Sequence, residues 1–443
     1  MTDAASHTSL TAQSDLVKRR NAAEKRFRAY GLTAIMIGLA MLVFLVVTIV
    51  GSGWNAFFQT RITVQVELVQ DEIDAAEAGF LKTAAYRGII SANLREQLTA
   101  LGLGTDVSDD DIEGLISRRA PAALRDFVRD NPDRIGDTVE FDFLAQSFID
   151  GYFKNRVTRD IAERSRNVSV AQLDLIDQMR DAGLASKAFN LDFITGNDAS
   201  ESSPEAAGYG PAILGSLAMM IVVAVLAISI GVAASIFLEE FAPQNRLTDL
   251  IEVNISNLAA VPSIVFGILG LAVFINYLGP LSGTDWLKNN SAFVGGLVLS
   301  LMTLPTIIIA TRASLKAVPQ SIRDAALGVG ASKMQTVFHH VLPLAAPGIL
   351  TGSIIGLAQA LGESAPLLLV GLVLAQGAAA PETVSDFFGG PNTAMPAQIY
   401  QWSTRADPAF YERAWGGIII LLIFLVTMNT LAVILRRRFE RRW

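Results

Sequence analysis

The most informative segment of the chain is polar, and it lies between apolar runs that are long enough to cross a membrane. Residues 319–349 read PQSIRDAALGVGASKMQTVFHHVLPLAAPGI. Ser321 followed by Asp324 predicts the capped start of a first short helix. Glycine leaves the helical region at little cost, so Gly328 and Gly330 predict the turn that ends this helix.

A second short helix is predicted directly after the turn. Ser332 followed by Gln335 has the spacing of a capping box, and the next residues place apolar side chains at helical intervals. Proline interrupts helical hydrogen bonding, so Pro343 and Pro347 predict the end of this helix. Together the two helices predict a rigid elbow between two apolar segments.

The overall composition is that of a membrane protein. Of 443 residues, 51% are hydrophobic and only 17% are charged, and the mean hydropathy is +0.41. The chain contains no cysteine, which excludes disulfides, thiolate metal sites and cysteine nucleophiles. Only three histidines occur, so we expect no histidine-rich metal centre and predict no metal site.

The N-terminal region predicts a first membrane span. Residues 1–28 carry six basic residues, and residues 29–60 after them are uncharged, with an apolar centre at 32–50 that is long enough to cross a bilayer. A cleaved signal peptide is the alternative, but the polar leader is long and no small-x-small cleavage site follows the run. Basic residues concentrate on the cytoplasmic side of membrane helices, so we expect an uncleaved span after a cytoplasmic N-terminal segment.

Residues 61–210 differ in character from the rest of the chain. They hold 27 of the 42 acidic residues but 16 of the 35 basic residues, a formal charge of −11, and they are numerous enough to bury a core of their own. Strict apolar alternation predicts three strands, at 62–68, 139–143 and 189–193. Helical periodicity predicts helices at 71–98, 111–128 and 170–179. The segment is therefore predicted to be a water-facing α+β domain.

The acidic residues near the start of one predicted helix raise the question of a calcium site. The cluster consists of Asp106, Asp109, Asp110, Asp111 and Glu113. It lacks the alternating oxygen ligands, the mid-loop glycine and the distal glutamate of an EF-hand loop. We therefore interpret it as a solvated loop that caps the next helix.

Residues 211–443 contain five more apolar runs of membrane length. They are residues 213–238, 258–278, 293–311, 349–374 and 416–435. A total of six spans puts both termini on one side of the membrane, and Arg312, Arg323 and Lys333 place the elbow on that cytoplasmic side as well. The predicted fold class is an all-α polytopic membrane protein with six transmembrane helices and an extracytoplasmic α+β insert at 61–210.

The elbow resembles the cytoplasmic coupling loop, or EAA motif, of binding-protein-dependent ABC import permeases. The matching residues are Asp324, Ala325, Ala326, Gly330 and the pair Leu342 and Pro343. In that family the first short helix docks in a groove of the ATP-hydrolysing subunit and transmits its motion. The resemblance implies that residues 312–347 form the coupling loop, with Asp324 keeping the charge of the family's glutamate.

Four further stretches resemble the PstA-type permeases of phosphate ABC importers. They are SIFLEEFAP (235–243), AAVPSIVFGILG (259–270), TLPTIIIATRASLKAVP (303–319) and LGESAPLLLVG (361–371). The resemblance implies a type I importer permease in the inner membrane that moves inorganic phosphate. It implies as partners a PstC-type permease, a dimeric PstB-type ATPase, a PstS-type binding protein and membrane lipid, and no nucleic acid.

ATP hydrolysis is expected to belong to a partner. The sequence contains no G-x-x-x-x-G-K-[ST] loop to cradle nucleotide phosphates, since Gly328, Gly330 and Lys333 lack its spacing. We therefore predict that the chain is not itself an enzyme, has no catalytic residue and binds no cofactor, and that the partner ATPase uses ATP and Mg²⁺.

The expected translocation path contains Glu363, the only ionisable residue of the predicted span at 349–374. A carboxylate at that depth is expected to face the bundle interior or a water-filled path. It pairs with a basic group of this chain or of the PstC-type partner, accepts a hydrogen bond from protonated phosphate, or is a structural polar residue. Ser364 lies beside it, and Gln359 stands where many relatives carry arginine. Arg312 is the nearest basic residue expected for the path, although it lies at the end of its span.

Two other functions stay open at this point. The same scaffold is suited to import of another small oxyanion or solute. A membrane-anchored sensor also begins with one span followed by a folded outer domain. Five further spans and the elbow argue against a sensor, because no cytoplasmic segment is large enough for a signalling domain.

Overall fold

The structure, a computed structural model, describes residues 15–104, 107–287, 291–372, 381 and 383–439. The chain divides into two compact units, Met1–Ser52 and Gly53–Trp443. Helix α1 (Asp15–Gly53) accounts for the described part of the first unit. It includes the basic residues that were expected to precede the span, because lysine, arginine and alanine all favour the helical conformation. The start of the predicted N-terminal segment, residues 1–14, lies outside the described residues.

The insert is built on a three-stranded antiparallel sheet. Its strands are β1 (Phe58–Glu67), β2 (Thr138–Leu144) and β3 (Ala185–Phe189), in the order β2-β1-β3. Strand β1 therefore begins within the run 29–60 that was assigned to the first span. Because successive side chains of a strand point to opposite faces, Ile62, Val64 and Val66 all lie in the core of the insert.

In the part of the insert that the structure describes, eight helices accompany the sheet. They are α2 (Gln70–Ala78), α3 (Lys82–Ala100), α4 (Asp109–Glu113), α5 (Ala120–Asp130), α6 (Ser147–Phe153), α7 (Arg159–Ala162), α8 (Val170–Asp181) and α9 (Asp192–Thr195). Leu94 of α3, Leu124 of α5 and Ile176 of α8 pack in one core with the strands. The predicted α+β character of the insert is confirmed.

The acidic cluster is built as a helix cap. The Ser108 side chain accepts a hydrogen bond from the backbone N–H of Asp111, and Asp109 to Asp111 form the first turn of α4. Carboxylates there are favoured by the partial positive charge of a helix N-terminus. Among the described residues, no group of three or more histidine and acidic side chains is placed to hold a metal ion. Asp106 lies outside the described residues.

The third strand lies earlier than the alternation at 189–193 predicts. Residues 185–189 pair with residues 58–62 of β1, and the chain then turns into α9. Phe193 of α9 is fully buried, with its ring edge-on to Phe57 at a centroid distance of 5.4 Å. The position and register of the third strand are therefore set by its pairing with β1. The apolar alternation within the strand is not sufficient to predict them.

The rest of the second unit is helical. Its helices are α10 (Gly210–Val223), α11 (Ser229–Ile236), α12 (Arg246–Ala259), α13 (Ser263–Leu269), α14 (Gly279–Ser282), α15 (Ala292–Lys316), α16 (Gln320–Gly328), α17 (Lys333–Thr336), α18 (Leu342–Gly362), α19 (Ala365–Leu369), α20 (Val384–Gly389), α21 (Met395–Thr404) and α22 (Pro408–Phe439). Turns of π-helix continue several of them, at Ala224–Ile228, Phe237–Phe241, Gly270–Leu278 and Val337–Val341.

Six helices of the described chain are long and apolar enough to cross a membrane, which confirms the predicted number. They are Leu16–Phe57, Gly210–Phe241, Ser263–Ser282, Ala292–Lys316, Lys333–Gly362 and Pro408–Arg438. The insert leads into the start of the second span, at Gly210. The other end of this span packs against the elbow. The insert and the elbow therefore lie at opposite ends of this span.

The fifth span lies earlier than the predicted range 349–374. A continuous helix runs from residue 333 to residue 362 through α17, a π turn and α18. Pro343 and Pro347 therefore do not end the second elbow helix, which is the beginning of the span. The π turn widens the hydrogen-bonding register just before Pro343, and membrane helices tolerate proline where neighbouring groups satisfy the freed backbone. Residues 373 and 374 lie outside the described residues.

Helix α15 is the centre of the membrane-spanning core. It packs along α10, α11 and α18, and most of its apolar length is buried. A β-carbon on Gly352 of α18 would lie 2.3 Å from the β-carbon of Ala310, so glycine allows α18 to approach α15 closely. This packing brings the elbow-side ends of α11, α15 and the fifth span into one apolar cluster that includes Ile236, Leu315 and Val341.

Candidate functional site

The first elbow helix, α16, begins at a proline and not at a serine cap. Pro319 is its N-cap residue, with φ −58°, and Ser321 lies inside the first turn. The predicted cap at Ser321 is therefore wrong. Proline's ring fixes φ near this value, which prepares the chain for entry into the helix.

The turn between the elbow helices agrees with the sequence pattern. Gly330 has φ +91°, a conformation that side-chain-bearing residues rarely adopt. The Ser332 side chain then accepts a hydrogen bond from the Gln335 N–H at 3.2 Å, and Gln335 Oε1 accepts one from the Ser332 N–H at 2.9 Å. The predicted capping box is confirmed, and it fixes the direction in which the fifth span leaves the elbow.

The residues that resemble the coupling motif are divided between two faces of α16. Asp324 and Ala325 are exposed, whereas Ala326 is buried. Four large apolar side chains of the elbow are also exposed: Leu327, Val329, Met334 and Phe338. A concentration of exposed apolar side chains on a short segment marks a surface that contacts another protein or the membrane.

Helix α16 is held to two spans by one arginine. Arg323 Nη2 donates to Glu240 Oε1 at 2.7 Å and to the Leu315 carbonyl at 2.9 Å, and Arg323 Nη1 donates to the Val318 carbonyl at 2.7 Å. The Glu240 side chain is almost completely buried. A buried, multiply bonded ion pair is costly to separate, so α16 and the end of the second span are expected to move together.

A second ion-pair cluster holds Arg312 beside the elbow. Arg312 Nη2 donates to Glu252 Oε1 at 2.6 Å, and its Nε donates to Glu239 Oε2 at 3.2 Å. Lys316 Nζ lies 3.6 Å from the same oxygen of Glu239. The structure therefore brings Arg312 to α12 and to the end of the second span, and no ion pair joins it to Glu363 in the part of the chain that is described.

Glu363 lies at a break between two helices. It is the C-cap residue of α18, with φ −80° and ψ 130°, and Ser364 after it is the N-cap residue of α19. The Glu363 carboxylate is half-buried, and within the described residues no side chain pairs with it. Gln359 is exposed on the last turn of α18. The helix ends on both sides of the break leave backbone carbonyl and N–H groups without intrahelical partners.

The break is held in place by close packing against the third span. A β-carbon on Gly267 of α13 would lie 2.7 Å from the α-carbon of Pro366, the second residue of α19. Only glycine leaves room for this approach. The position of Glu363 and Ser364 therefore depends on α13 as well as on their own helices.

A third site, which the sequence did not reveal, joins the insert to the last span. Arg413 of α22 is only 3% exposed. Its Nη1 donates to the Ala207 carbonyl at 2.6 Å, and its Nη2 donates to the Glu205 carbonyl and, at 3.0 Å, to Gln59 Oε1. The guanidinium also lies 5.4 Å from the ring centroid of Phe193. The Arg413 guanidinium thus contacts β1, α9 and the linker that leads into the second span.

The neighbouring residue of α22 takes part in a buried charge cluster. Lys154 Nζ lies 2.8 Å from Asp150 Oδ2 and donates to Glu412 Oε1 at 2.7 Å. Arg156 donates to the other oxygen of Glu412. Asp150 also accepts hydrogen bonds from the backbone and the hydroxyl of Thr60, at 2.9 and 3.0 Å. The two cations and two anions offset one another, which makes their burial tolerable.

Helix α21 and its C-cap residue Arg405, just before the last span, are fixed to the insert in the same way. Asp198 accepts hydrogen bonds from Trp402 Nε1 at 2.9 Å and from Arg405 Nη2 at 2.7 Å. Nearby, burial raises the pKa of the Glu205 carboxyl, which accepts a hydrogen bond from the Ser117 hydroxyl. The insert is therefore packed into the membrane unit through several buried polar contacts and is not a loosely attached domain.

Six membrane-length helices, two of which are joined by the polar elbow, define a polytopic membrane protein. Residues 227–443 match the family described as binding-protein-dependent transport system inner membrane component. Residues 14–163 match a domain of unknown function, DUF3333.

Two relatives of this chain are permeases of phosphate transport systems. Phosphate transport system permease protein PstA 1 of Mycobacterium tuberculosis is 32% identical over 238 residues, which cover 54% of this chain and 73% of the relative. Phosphate transport system permease protein PstC 2 of Mycobacterium bovis is 30% identical over 267 residues, covering 56% and 81%. A solved structure of the MetNI methionine ABC transporter matches 52% of this chain and 95% of its own at 16% identity and a TM-score of 0.40.

The chain belongs to the PstA-type branch of the binding-protein-dependent ABC import permeases. It is therefore a multi-pass inner membrane protein with an additional domain near its N-terminus. Permeases of this family are components of transport systems that also contain an ATPase and a binding protein.

Proposed function

We propose that this chain is the membrane permease of an ATP-driven importer that carries inorganic phosphate from a periplasmic binding protein into the cytoplasm. The coupling role is supported by the structure of the elbow. Its helix α16 is exposed, and Arg323 of this helix binds two spans. The choice of phosphate is supported by the PstA-type relatives.

The proposed partners follow from the same relatives and from the surfaces of the chain. Asp324, Ala325, Ala326 and Gly330 belong to the surface that docks on a dimeric PstB-type ATPase, and residues 312–347 form the coupling loop. A PstC-type permease completes the membrane pathway, and a PstS-type binding protein delivers phosphate. ATP and Mg²⁺ are used by the ATPase, and this chain binds neither of them as a cofactor.

Coupling is proposed to run from the elbow into the spans. When the ATPases close, they displace α16, and Arg323 transfers this displacement to Glu240 at the end of the second span and to the carbonyl of Leu315 at the end of α15. Because these ends share one apolar cluster with the fifth span, the spans move as a group. The break at Glu363 lies at the other end of the fifth span.

The helix break is proposed as part of the phosphate path. Ser364 supplies a hydroxyl, and the N-terminal end of α19 beside it supplies backbone N–H groups that suit an oxyanion. Glu363 accepts a hydrogen bond from protonated phosphate or pairs with a cation of the PstC-type partner. Gln359 is exposed one turn earlier, whereas Arg312 contributes through its ion pairs near the elbow.

Substrate uptake tests the proposed function. A bacterial strain lacking its own PstA-type permease is supplied with this chain and its companion subunits, and uptake of labelled phosphate is measured with sulfate and molybdate as competitors. We expect phosphate uptake that the competitors do not reduce. The matched control is Gly330→Val, which we expect to insert without transporting because valine resists φ +91°. Uptake of another oxyanion in place of phosphate would show that phosphate is not the substrate, but it would not contradict the assignment to the permease family.

Orientation is tested separately. Both termini and the elbow are proposed to be cytoplasmic, and the insert extracytoplasmic. The natural chain has no cysteine, so single cysteines label cleanly. In intact cells, a membrane-impermeant thiol reagent should modify Ser108→Cys and should not modify Ser332→Cys, although both residues are helix caps. The opposite pattern would reverse the proposed topology.

A further inference from the structure

A cluster of exposed aromatic and apolar side chains lies where the chain leaves the first span and enters the insert. This junction patch consists of the aromatic residues Trp54, Phe58 and Phe189, of which Phe58 is half-buried, and of the exposed residues Leu191 and Lys187. Trp54, Phe189 and Leu191 are 57%, 54% and 59% exposed. The ring centroids of Trp54 and Phe58 are 5.9 Å apart, and those of Phe58 and Phe189 are 6.0 Å apart.

The patch carries one cation. Lys187 Nζ lies 5.6 Å from the ring centroid of Phe58 and 3.3 Å from Asn55 Oδ1. Scattered exposed apolar residues are ordinary on a protein surface, but contiguous aromatic side chains beside a lysine mark a contact surface. Strand β3, which carries Lys187 and Phe189, is also an edge of the sheet. Its outer backbone groups are therefore available to a partner that offers polar groups.

The depth of the patch relative to the spans is set by contacts within the second unit. Gly53, which ends α1, packs so closely on α22 that a β-carbon there would lie 2.7 Å from the backbone of Trp415. Trp415 and Tyr411 form an edge-on ring pair with centroids 6.1 Å apart, one turn apart on the last span. Tryptophan and tyrosine concentrate where membrane helices meet the lipid headgroups. Trp54, the residue after Gly53, therefore lies at this same level.

We infer that the junction patch lies in the headgroup region of the bilayer leaflet on the side of the insert, with edge strand β3 resting on the lipid. The aromatic rings suit the boundary between acyl chains and water, and Lys187 suits a lipid phosphate. Lipid is the occupant that the position favours, because Trp54 follows Gly53, which contacts Trp415 at the aromatic end of the last span. This contact gives the insert a second attachment besides its buried contacts with α22.

Fluorescence quenching in nanodiscs tests the inference on the assembled transporter. An environment-sensitive fluorophore is attached to Phe189→Cys, and quenching by headgroup-level spin-labelled lipid is compared with quenching by a water-soluble quencher. We expect strong quenching by the lipid, weak quenching by the soluble agent and a blue-shifted emission. Leu191→Cys is a second reporter of the same surface and should behave in the same way.

Phe80→Cys is the matched control, because Phe80 is an apolar residue of the insert that is 100% exposed. The Glu67 N–H donates to Asn93 Oδ1 and the Gln65 N–H donates to Gln97 Oε1, so α3 runs antiparallel to β1. Phe80, just before α3, therefore lies at the far end of β1 from the patch. Its label should be quenched by the soluble agent and not by the lipid.

Two results would overturn the inference. If the labels at 189 and 80 respond alike to the two quenchers, the patch faces water. If the label at 189 is shielded from both quenchers, a protein subunit covers the patch and lipid does not. Assembly and correct folding of each variant are checked by size-exclusion chromatography. If the substitution at 189 prevents assembly, the label at 191 is compared with the label at 80 in its place.

Discussion

Replacing Arg413 by methionine is expected to loosen the insert from the last span. The guanidinium donates hydrogen bonds to Gln59 Oε1 and to the carbonyls of Glu205 and Ala207, and all three acceptors lie in the insert or its linker. A buried acceptor that loses its donor costs about 1 to 3 kcal/mol. Methionine also removes the cost of burying a cation, which offsets part of this loss. The three acceptors together would cost about 3 to 9 kcal/mol, and after this offset we expect a net loss of about 3 to 5 kcal/mol.

The assay is thermal unfolding of the purified chain in nanodiscs, followed by tryptophan fluorescence. Trp402 reports on this interface, because it is fully buried and its ring centroid lies 6.2 Å from that of Phe193. For a domain of the insert's size, each kcal/mol shifts the midpoint by roughly 2 to 4 °C, so a decrease of about 6 to 20 °C is expected.

Two variants control this measurement. Arg413→Lys keeps the charge but lacks the planar fork that reaches several acceptors, so an intermediate decrease is expected. Arg119→Met removes an arginine of the insert that is exposed, and it should leave the midpoint unchanged. If Arg413→Met unfolds at the same temperature as the natural chain, these hydrogen bonds do not hold the insert to the last span.

Further predictions concern the insert, the elbow and the helix break. Deleting residues 59–207 should prevent stable insertion, because it removes the partners of Arg413 and Glu412 and leaves two charged side chains unpaired in the last span. Adding Arg413→Met with Glu412→Gln to the deletion should restore insertion, and equal membrane yields of the two deletions would contradict this. Glu240→Gln should reduce phosphate uptake per ATP hydrolysed in an assembled complex, since it weakens the bond to Arg323, whereas Arg246→Gln on exposed α12 should not. Glu363→Gln should impair uptake with ATPase binding intact, and uptake equal to that of the natural chain at all working pH values would exclude a role for the charge. Arg125 and Lys82 lower the pKa of Glu77 from 4.5 to about 2 by hydrogen bonding. A lowered carboxyl pKa stabilises the folded state above the unfolded value, so this contribution should be lost as pH falls from about 4.5 towards 2, and chemical denaturation of Glu77→Gln should show a shallower acid dependence in that window.

Much of the architecture follows from local sequence pattern. Apolar runs of membrane length predict six spans, because a bilayer-spanning helix must satisfy its backbone internally and present apolar side chains to lipid. Alternation predicts β1 and β2, and the spacing of Ser332 and Gln335 predicts the second elbow cap. Each of these signals involves residues that are neighbours along the chain. The role of the elbow residues and of Glu363 in transport stays a prediction.

Other features depend on contacts between distant parts of the chain. The third strand is placed by pairing with residues 58–62, and the fifth span continues through Pro343 because a π turn and neighbouring helices accommodate the ring. The sequence does not show that Glu240, just after the predicted second span, binds Arg323 of the elbow. Arg413 lies more than 200 residues from the carbonyls that it binds. No periodicity connects such residues, and only the folded chain brings the insert and the last span together, because the free energy of a buried cation depends on the acceptors that tertiary packing places around it.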